Sequence, residues 1–206
     1  MHDLFSREIN RVAETHFFLR PLLNNALKNN SITPEGKEIV GNFDNYYDYW
    51  HERLGDRFFD MATIIRLGTV IENCLKSFYM NRKGYTNLID LKADSKYKKN
   101  MFQRIQNYQH DGALKLYTDE IGYDLTTNSY LNVMQETMLH RHLYAHNSGL
   151  IDDEYVKNLL KITGVDITVN PDVATSYPKD DVYWFEPLSR LNHFIEGTRN
   201  FFGQFP

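Results

Sequence analysis

The sequence predicts an all-α protein, and three observations lead there. Apolar residues recur three and four apart along most of the 206-residue chain, the spacing that lays a stripe on one face of a helix. Start and stop residues for helices bracket these stretches. Only two short runs, 165–169 and 182–185, have a β-prone pattern. Hydrophobic residues make up 42% and charged residues 24%, an ordinary balance for a chain that buries one core. No repeat, linker or low-complexity stretch divides it, so residues 1–206 read as a single helical domain.

From Phe5 to Leu27 the apolar spacing is helical, and Pro21 is expected to kink that helix or begin a second one. Thr33-Pro34-Glu35 reads as an N-cap, a proline at the first helical position and an acid in the first turn. The helix it opens carries Phe43, Tyr46, Tyr47 and Trp50. That stripe is expected in the core or at a subunit interface, with base stacking as its other reading. Between Asp56 and Met80, residues Phe59, Ala62, Ile65, Leu67, Val70, Ile71, Leu75 and Phe78 trace a broad apolar face, and Gly84 is the expected stop. Cys74, the lone cysteine, sits in this stretch and reads as a buried, inert thiol in a reducing compartment. Glu72 lies there too, either as a salt-bridged residue or as a carboxylate that orients an arginine or histidine.

Lys92, Lys96, Lys98, Lys99 and Arg104 form a basic cluster, read as a solvated helix start or as a local RNA-facing patch. The helical pattern then runs through Tyr117 and breaks at Gly122; Asn128 or a neighbouring threonine is expected to cap the next helix, which carries Leu131, Met134, Met138 and Leu139. Asn147-Ser148-Gly149 ends it, and Asp152 caps another. The runs 165–169 and 182–185 are expected to pair as a small β-hairpin, and Pro187 opens a final helix through Phe201.

The formal net charge of −4 excludes a basic coat for non-specific nucleic-acid binding. The N-terminus shows no signal-peptide pattern and no apolar run approaches the roughly 20 residues that span a bilayer, so the expected location is the cytoplasm.

Chemistry concentrates in residues 140–147, where Arg141, His140, His142, His146 and Asn147 fall within eight positions. Histidine exchanges a proton near neutral pH, and arginine offers a planar cation that fits a phosphate. His142 and His146, four apart, share a helix face, whereas Arg141 is offset from His146 by about 140° at 3.6 residues per turn. Loosening of the last turn, or a second protomer at a two-fold axis, would bring the three together. Three readings follow. The polar groups cap a helix end; or His142 and His146 bind a metal, with or without His140, although no HExxH and no evident further ligand accompany them; or histidine and arginine act on a phosphodiester.

The run Arg141-His142-Leu143-Tyr144-Ala145-His146 resembles the arginine, polar residue, three variable residues, histidine signature of the HEPN superfamily. Asn147, Gly149 and the helix start at 151–155 are similar to the context downstream of that motif, and residues 71–79 resemble the long helix that pairs with the motif helix. The resemblance implies an up-and-down helical bundle over 55–205, with residues 1–54 as extra N-terminal helices, and a homodimer whose two motifs face one another. It implies a metal-independent endoribonuclease that needs no cofactor and leaves 2′,3′-cyclic phosphate and 5′-hydroxyl ends, in a toxin–antitoxin or phage-defence setting, with an antitoxin protein as a further partner. Carried over, His146 is the principal acid/base, Arg141 clamps the scissile phosphate and His142 orients them. Asn147 and Glu72 are supporting candidates, and Lys96, Lys98, Lys99 and Arg104 are candidate RNA contacts. A non-catalytic helical interaction module is the alternative.

Overall fold

The computed structural model describes residues 2–29, 46–52, 55–98, 101–103, 112–174, 177 and 182–206. The Thr33-Pro34-Glu35 start, Phe43, Lys99 and Arg104 lie outside the described residues. The helices are α1 (His2–Lys28), α2 (Tyr46–Glu52), α3 (Gly55–Lys83), α4 (Leu88–Ala93), α5 (Ala113–Ile121), α6 (Leu131–His146), α7 (Asp153–Thr163), α8 (Pro171–Ala174) and α9 (Leu191–Gly203). Short 3-10 turns form at Met101–Gln103, Leu125–Thr127, Ile167–Val169 and Glu186–Arg190. The fold is all-α: among the described residues the only β pairing is an isolated bridge between Leu150 and Tyr183.

Helix α3 is the hub, packing against α1, α5, α6 and α9. Its Ile64, Leu67, Ile71 and Leu75 are fully buried, and each such side chain contributes about 1.5–3 kcal/mol by leaving water. Gly84, in the left-handed conformation at φ 70°, ends α3 where the sequence predicts. The abundant aromatics fill helix interfaces: Phe78 of α3 lies 4.7 Å from Phe205 and 5.8 Å from Tyr117 of α5, and Phe5 of α1 lies 5.1 Å from Phe202 of α9. Phe5, Ile9 and Val12 thus belong to the same core as α3, which makes α1 an integral wall of the bundle. Cys74 is buried, and burial pushes its thiol up to about 12.

One alternative and one expectation are corrected. Of the two outcomes expected at Pro21, a second helix does not begin there: α1 continues through it. Pro21 is exposed, so the carbonyl that its missing N–H leaves unpaired can face water, and buried Leu27 beyond it rewards continuing the helix. The hairpin does not form. Asp166 accepts a hydrogen bond from the Thr168 N–H at 2.9 Å, which winds 167–169 into a 3-10 turn and leaves Val165 and Val169 exposed. Residues 182–184 pair instead with the loop after α6, through Ile151 N–H to Val182 O at 3.1 Å and Trp184 N–H to Gly149 O at 2.9 Å. Among the described residues, no helix is long and apolar enough to cross a membrane.

Candidate functional site

Helix α6 runs antiparallel to α3: Gly68 abuts Arg141, and a Cβ on Gly149 would lie 3.7 Å from Met61 Cε, two turns nearer the start of α3. Helix α6 stays regular through His146, because the Asn147 N–H reaches Leu143 O at 2.9 Å. The last turn therefore does not loosen, contrary to one route by which Arg141 and His146 were expected to converge. The chain turns only at Ser148 and Gly149, both at positive φ, and the Gly149 N–H returns to the same Leu143 carbonyl. Asn147 donates its side-chain amide to one oxygen of Asp152, whose other oxygen caps α7 by accepting from the Tyr155 N–H at 2.8 Å. Its role here is to fasten the α6–α7 turn.

Arg141 and the two histidines leave the helix in different directions. The Arg141 stem lies flat on Gly68: a Cβ there would stand 2.8 Å from Arg141 Cβ and 2.5 Å from its Cγ. Its Nε is buried without a hydrogen-bond partner, and no carboxylate pairs with the guanidinium among the described residues. His142 and His146 are exposed, with ring centroids 4.7 Å apart. Desolvation of the His142 ring, reinforced by the charges of His146 and Arg141, holds its pKa below the ordinary imidazole value, so at neutral pH it is a proton acceptor. A half-buried cation, unpaired among the described residues, thus sits within two turns of two adjacent imidazoles. Among the described residues, no three His, Cys, Asp or Glu side chains converge as a metal site.

The other expected site residues lie apart. Glu72, one turn along α3 from Gly68, pairs with Lys76 at 3.4 Å and accepts from Gln103 at 2.8 Å, rather than from Arg141 or either histidine. Lys96 and Lys98 are exposed on a non-helical turn, not a helix start, built around Asp94, which accepts from the Lys96 N–H and from Tyr79. Tyr79 lies about three turns along α3 from Gly68, roughly 16 Å, so these lysines stand at the far end of α3 from the motif.

The sequence reading missed two other polar constellations. His140, grouped with the motif by sequence, is fully buried. Its Nε2 lies 3.2 Å from Glu136 and its Nδ1 2.9 Å from the Tyr155 hydroxyl, while Arg190 holds both oxygens of Glu136 at 2.6 and 3.3 Å. Burial lowers the His140 pKa despite the carboxylate. The ring is therefore neutral, donating from Nε2 to Glu136 and accepting the Tyr155 hydroxyl at Nδ1. Glu136, His140 and Arg190 form one wall of a cavity of about 740 Å³. The i, i+4 spacing of Glu136 and His140 was the available signal; Tyr155 comes from α7 and Arg190 from the 3-10 turn before α9. The second constellation lines an 810 Å³ cavity between α1 and α3. There Arg20 pairs with Asp60 at 3.1 Å, His16 meets Thr63 at 3.1 Å, and burial pushes the Asp60 carboxyl up to about 6.

Gly68 also went unread, although a glycine inside a helix costs about 0.5–1 kcal/mol relative to alanine and so marks a close approach. Gly68→Ala is expected to destabilise the protein by about 1–3 kcal/mol despite its better helix propensity. The Arg141 Cβ is fixed to its backbone and cannot swing aside, so α3 and α6 must separate. Urea unfolding checks this, and an unchanged or raised midpoint would show that the helices are not in such contact. Comparison with protein-family models, curated proteins and solved structures gives no match.

Proposed function

We propose that this protein is a metal-independent endoribonuclease of the HEPN type, acting as a homodimer on RNA in a toxin–antitoxin or phage-defence setting. The observation that carries the reading is the end of α6. Arg141 is held by packing on Gly68, no carboxylate among the described residues pairs with it, and the exposed His142–His146 pair lies on the same helix end. The arrangement suits cleavage by the substrate's own 2′-hydroxyl. An imidazole takes the 2′-hydroxyl proton as the 2′-oxygen bonds to phosphorus, and a second proton is delivered to the departing 5′-oxygen as the P–O5′ bond breaks. That leaves a 2′,3′-cyclic phosphate and a 5′-hydroxyl. Neutral His142 suits the first transfer, and its neighbour His146 is assigned the second. Arg141 stabilises the charge that builds on the phosphoryl oxygens. Because Arg141 and His146 diverge on one rigid helix, the reading takes the arginine and the acid from two facing copies.

Purified protein incubated with single-stranded RNA in excess EDTA is expected to give products with 2′,3′-cyclic phosphate ends. Intact RNA, or cleavage that EDTA abolishes, would overturn the proposal. The exposed Phe18, Leu19 and Leu22 on α1 favour a second reading, a helical interaction module that binds a protein partner such as an antitoxin. It predicts that the double substitution of Arg141 and His146 leaves the biological effect intact.

A further inference from the structure

Tyr183 is a large aromatic that the bundle does not bury, with 56% of its surface exposed. Its place is nonetheless well defined. The backbone around it is tied to the loop that ends α6, through the Leu150–Tyr183 bridge and the bonds from Ile151 to Val182 and from Trp184 to Gly149. The Trp184 carbonyl also accepts the Tyr144 hydroxyl at 3.2 Å, from within α6 itself. The ring is backed by Phe185, almost parallel to it at 5° with centroids 6.0 Å apart, and Phe185 is covered in turn by the Arg57 guanidinium at 4.9 Å. Arg57 is exposed and makes no ion pair among the described residues. Both Tyr183 and Arg57 thus meet Phe185 at the end of the bundle where α6 stops, since Tyr183 bridges to Leu150, four residues beyond His146.

We propose that Tyr183, backed by Phe185 and Arg57, is a stacking platform for a base of single-stranded RNA next to the phosphate held at Arg141 and His146. The proposal rests on the ribonuclease reading for the identity of that phosphate. A flat exposed ring fixed by its backbone is the surface on which an unpaired base lies, and every base has a face to offer it. A base in a duplex is already stacked on both sides, so the occupant is a single strand. The Arg57 cation answers the backbone charge that follows the stacked base, in a chain whose overall charge repels RNA. The platform positions the strand and takes no part in proton transfer.

The test uses the full chain carrying His146→Ala, so that binding is read without cleavage, and a short single-stranded oligoribonucleotide containing 2-aminopurine. The base's fluorescence is expected to be quenched on binding, through stacking. Tyr183→Phe should keep the quenching, while Tyr183→Ala should remove it and weaken binding roughly tenfold to a hundredfold, the range of a lost base–aromatic stack. A duplex carrying the same base should compete poorly. Absence of quenching, quenching unchanged in Tyr183→Ala, or equal binding of duplex would each overturn the platform. Because Tyr183 is exposed, its variants should keep the wild-type melting temperature, and one that does not is replaced by Tyr183→Ser with the same readout. Cleavage is scored separately with an active His146. Quenching without cleavage by the wild type sinks the ribonuclease reading and leaves the platform standing, whereas cleavage without quenching does the reverse.

Discussion

Replacing His146 with alanine is expected to lower RNA cleavage by roughly 10²- to 10⁴-fold, with the unfolding midpoint unchanged. The stability half follows from position: the side chain is exposed and its only described contact is the His142 ring. Arg141→Ala is expected to cut cleavage comparably, and Arg141→Lys to recover little, because an ammonium cannot reproduce the planar fork on a phosphate. Helix α6 is regular through both residues, so the two side chains point about 140° apart, and mixing the variants tests where they meet. If each site takes Arg141 from one protomer and His146 from the other, a mixed dimer of Arg141→Ala and His146→Ala holds one intact site, and activity returns on mixing. Cleavage by the wild type with no recovery in the mixture would place both residues of a site in one chain. Equal cleavage by wild type and His146→Ala would remove His146 from the chemistry altogether.

Glu136→Ala is expected to destabilise the fold by about 3–5 kcal/mol, the cost of removing one partner from a buried ion pair, and toward the lower end because Arg190 is 39% exposed. Alanine would strand the buried Nε2–H of His140 and leave Arg190 uncompensated. The same network sets a pH dependence. Burial alone would raise the Glu136 pKa, but the hydrogen bonds and charges of His140 and Arg190 together outweigh it and hold the carboxyl below its ordinary 4.5. His140 is likewise held below its ordinary 6.5. For both groups the unfolded chain binds more protons, so their stabilisation is complete above those ordinary values and is lost as pH falls through the folded ones. Asp60, raised to about 6, works in the opposite direction over the window between 3.8 and 6. Urea unfolding at pH 7 should show the loss, and a Glu136→Ala variant as stable as the wild type would mean that Glu136 is not held as an ion pair.

Much of the fold was legible because it follows from local rules. The long helix now seen at Gly55–Lys83, its stop at Gly84, the Asp152 cap and the helix following Pro187 are each written in apolar spacing and terminal residues a few positions apart. Local rules failed where burial or water changed their outcome. Pro21 did not break α1 because its missing bond faces solvent, and 165–169 did not become a strand because Asp166 offered its backbone a nearer partner. Asn128 or a neighbouring threonine was expected to cap α6, but Tyr130 stands at the cap with no side-chain bond. Asn128 accepts from the Tyr130 N–H at 3.0 Å, and its amide holds Phe201 O at 2.9 Å, a link across the chain that spacing cannot reveal. The site divided in the same way. Arg141, His142 and His146 were recognisable as a group, but their directions, the burial of His140 among Glu136, Tyr155 and Arg190, and the turn-fastening bond of Asn147 were not.

The sequence by itself determined that this is a helical protein with its densest chemistry at one helix end, because helix periodicity, capping and motif spacing act over a few residues and survive without a partner. Only the tertiary structure decided which of those side chains face water and which are spent on the core. It set Arg141 on Gly68, gave it no counter-ion among the described residues, turned the two exposed histidines away from it, and carried Tyr183 to the same end of the bundle. Those outcomes depend on the approach of α3, α7 and the 182–185 segment to α6, contacts between residues as distant in sequence as Gly68 and Arg141, whose geometry is fixed by packing and by where each buried polar group finds its partner.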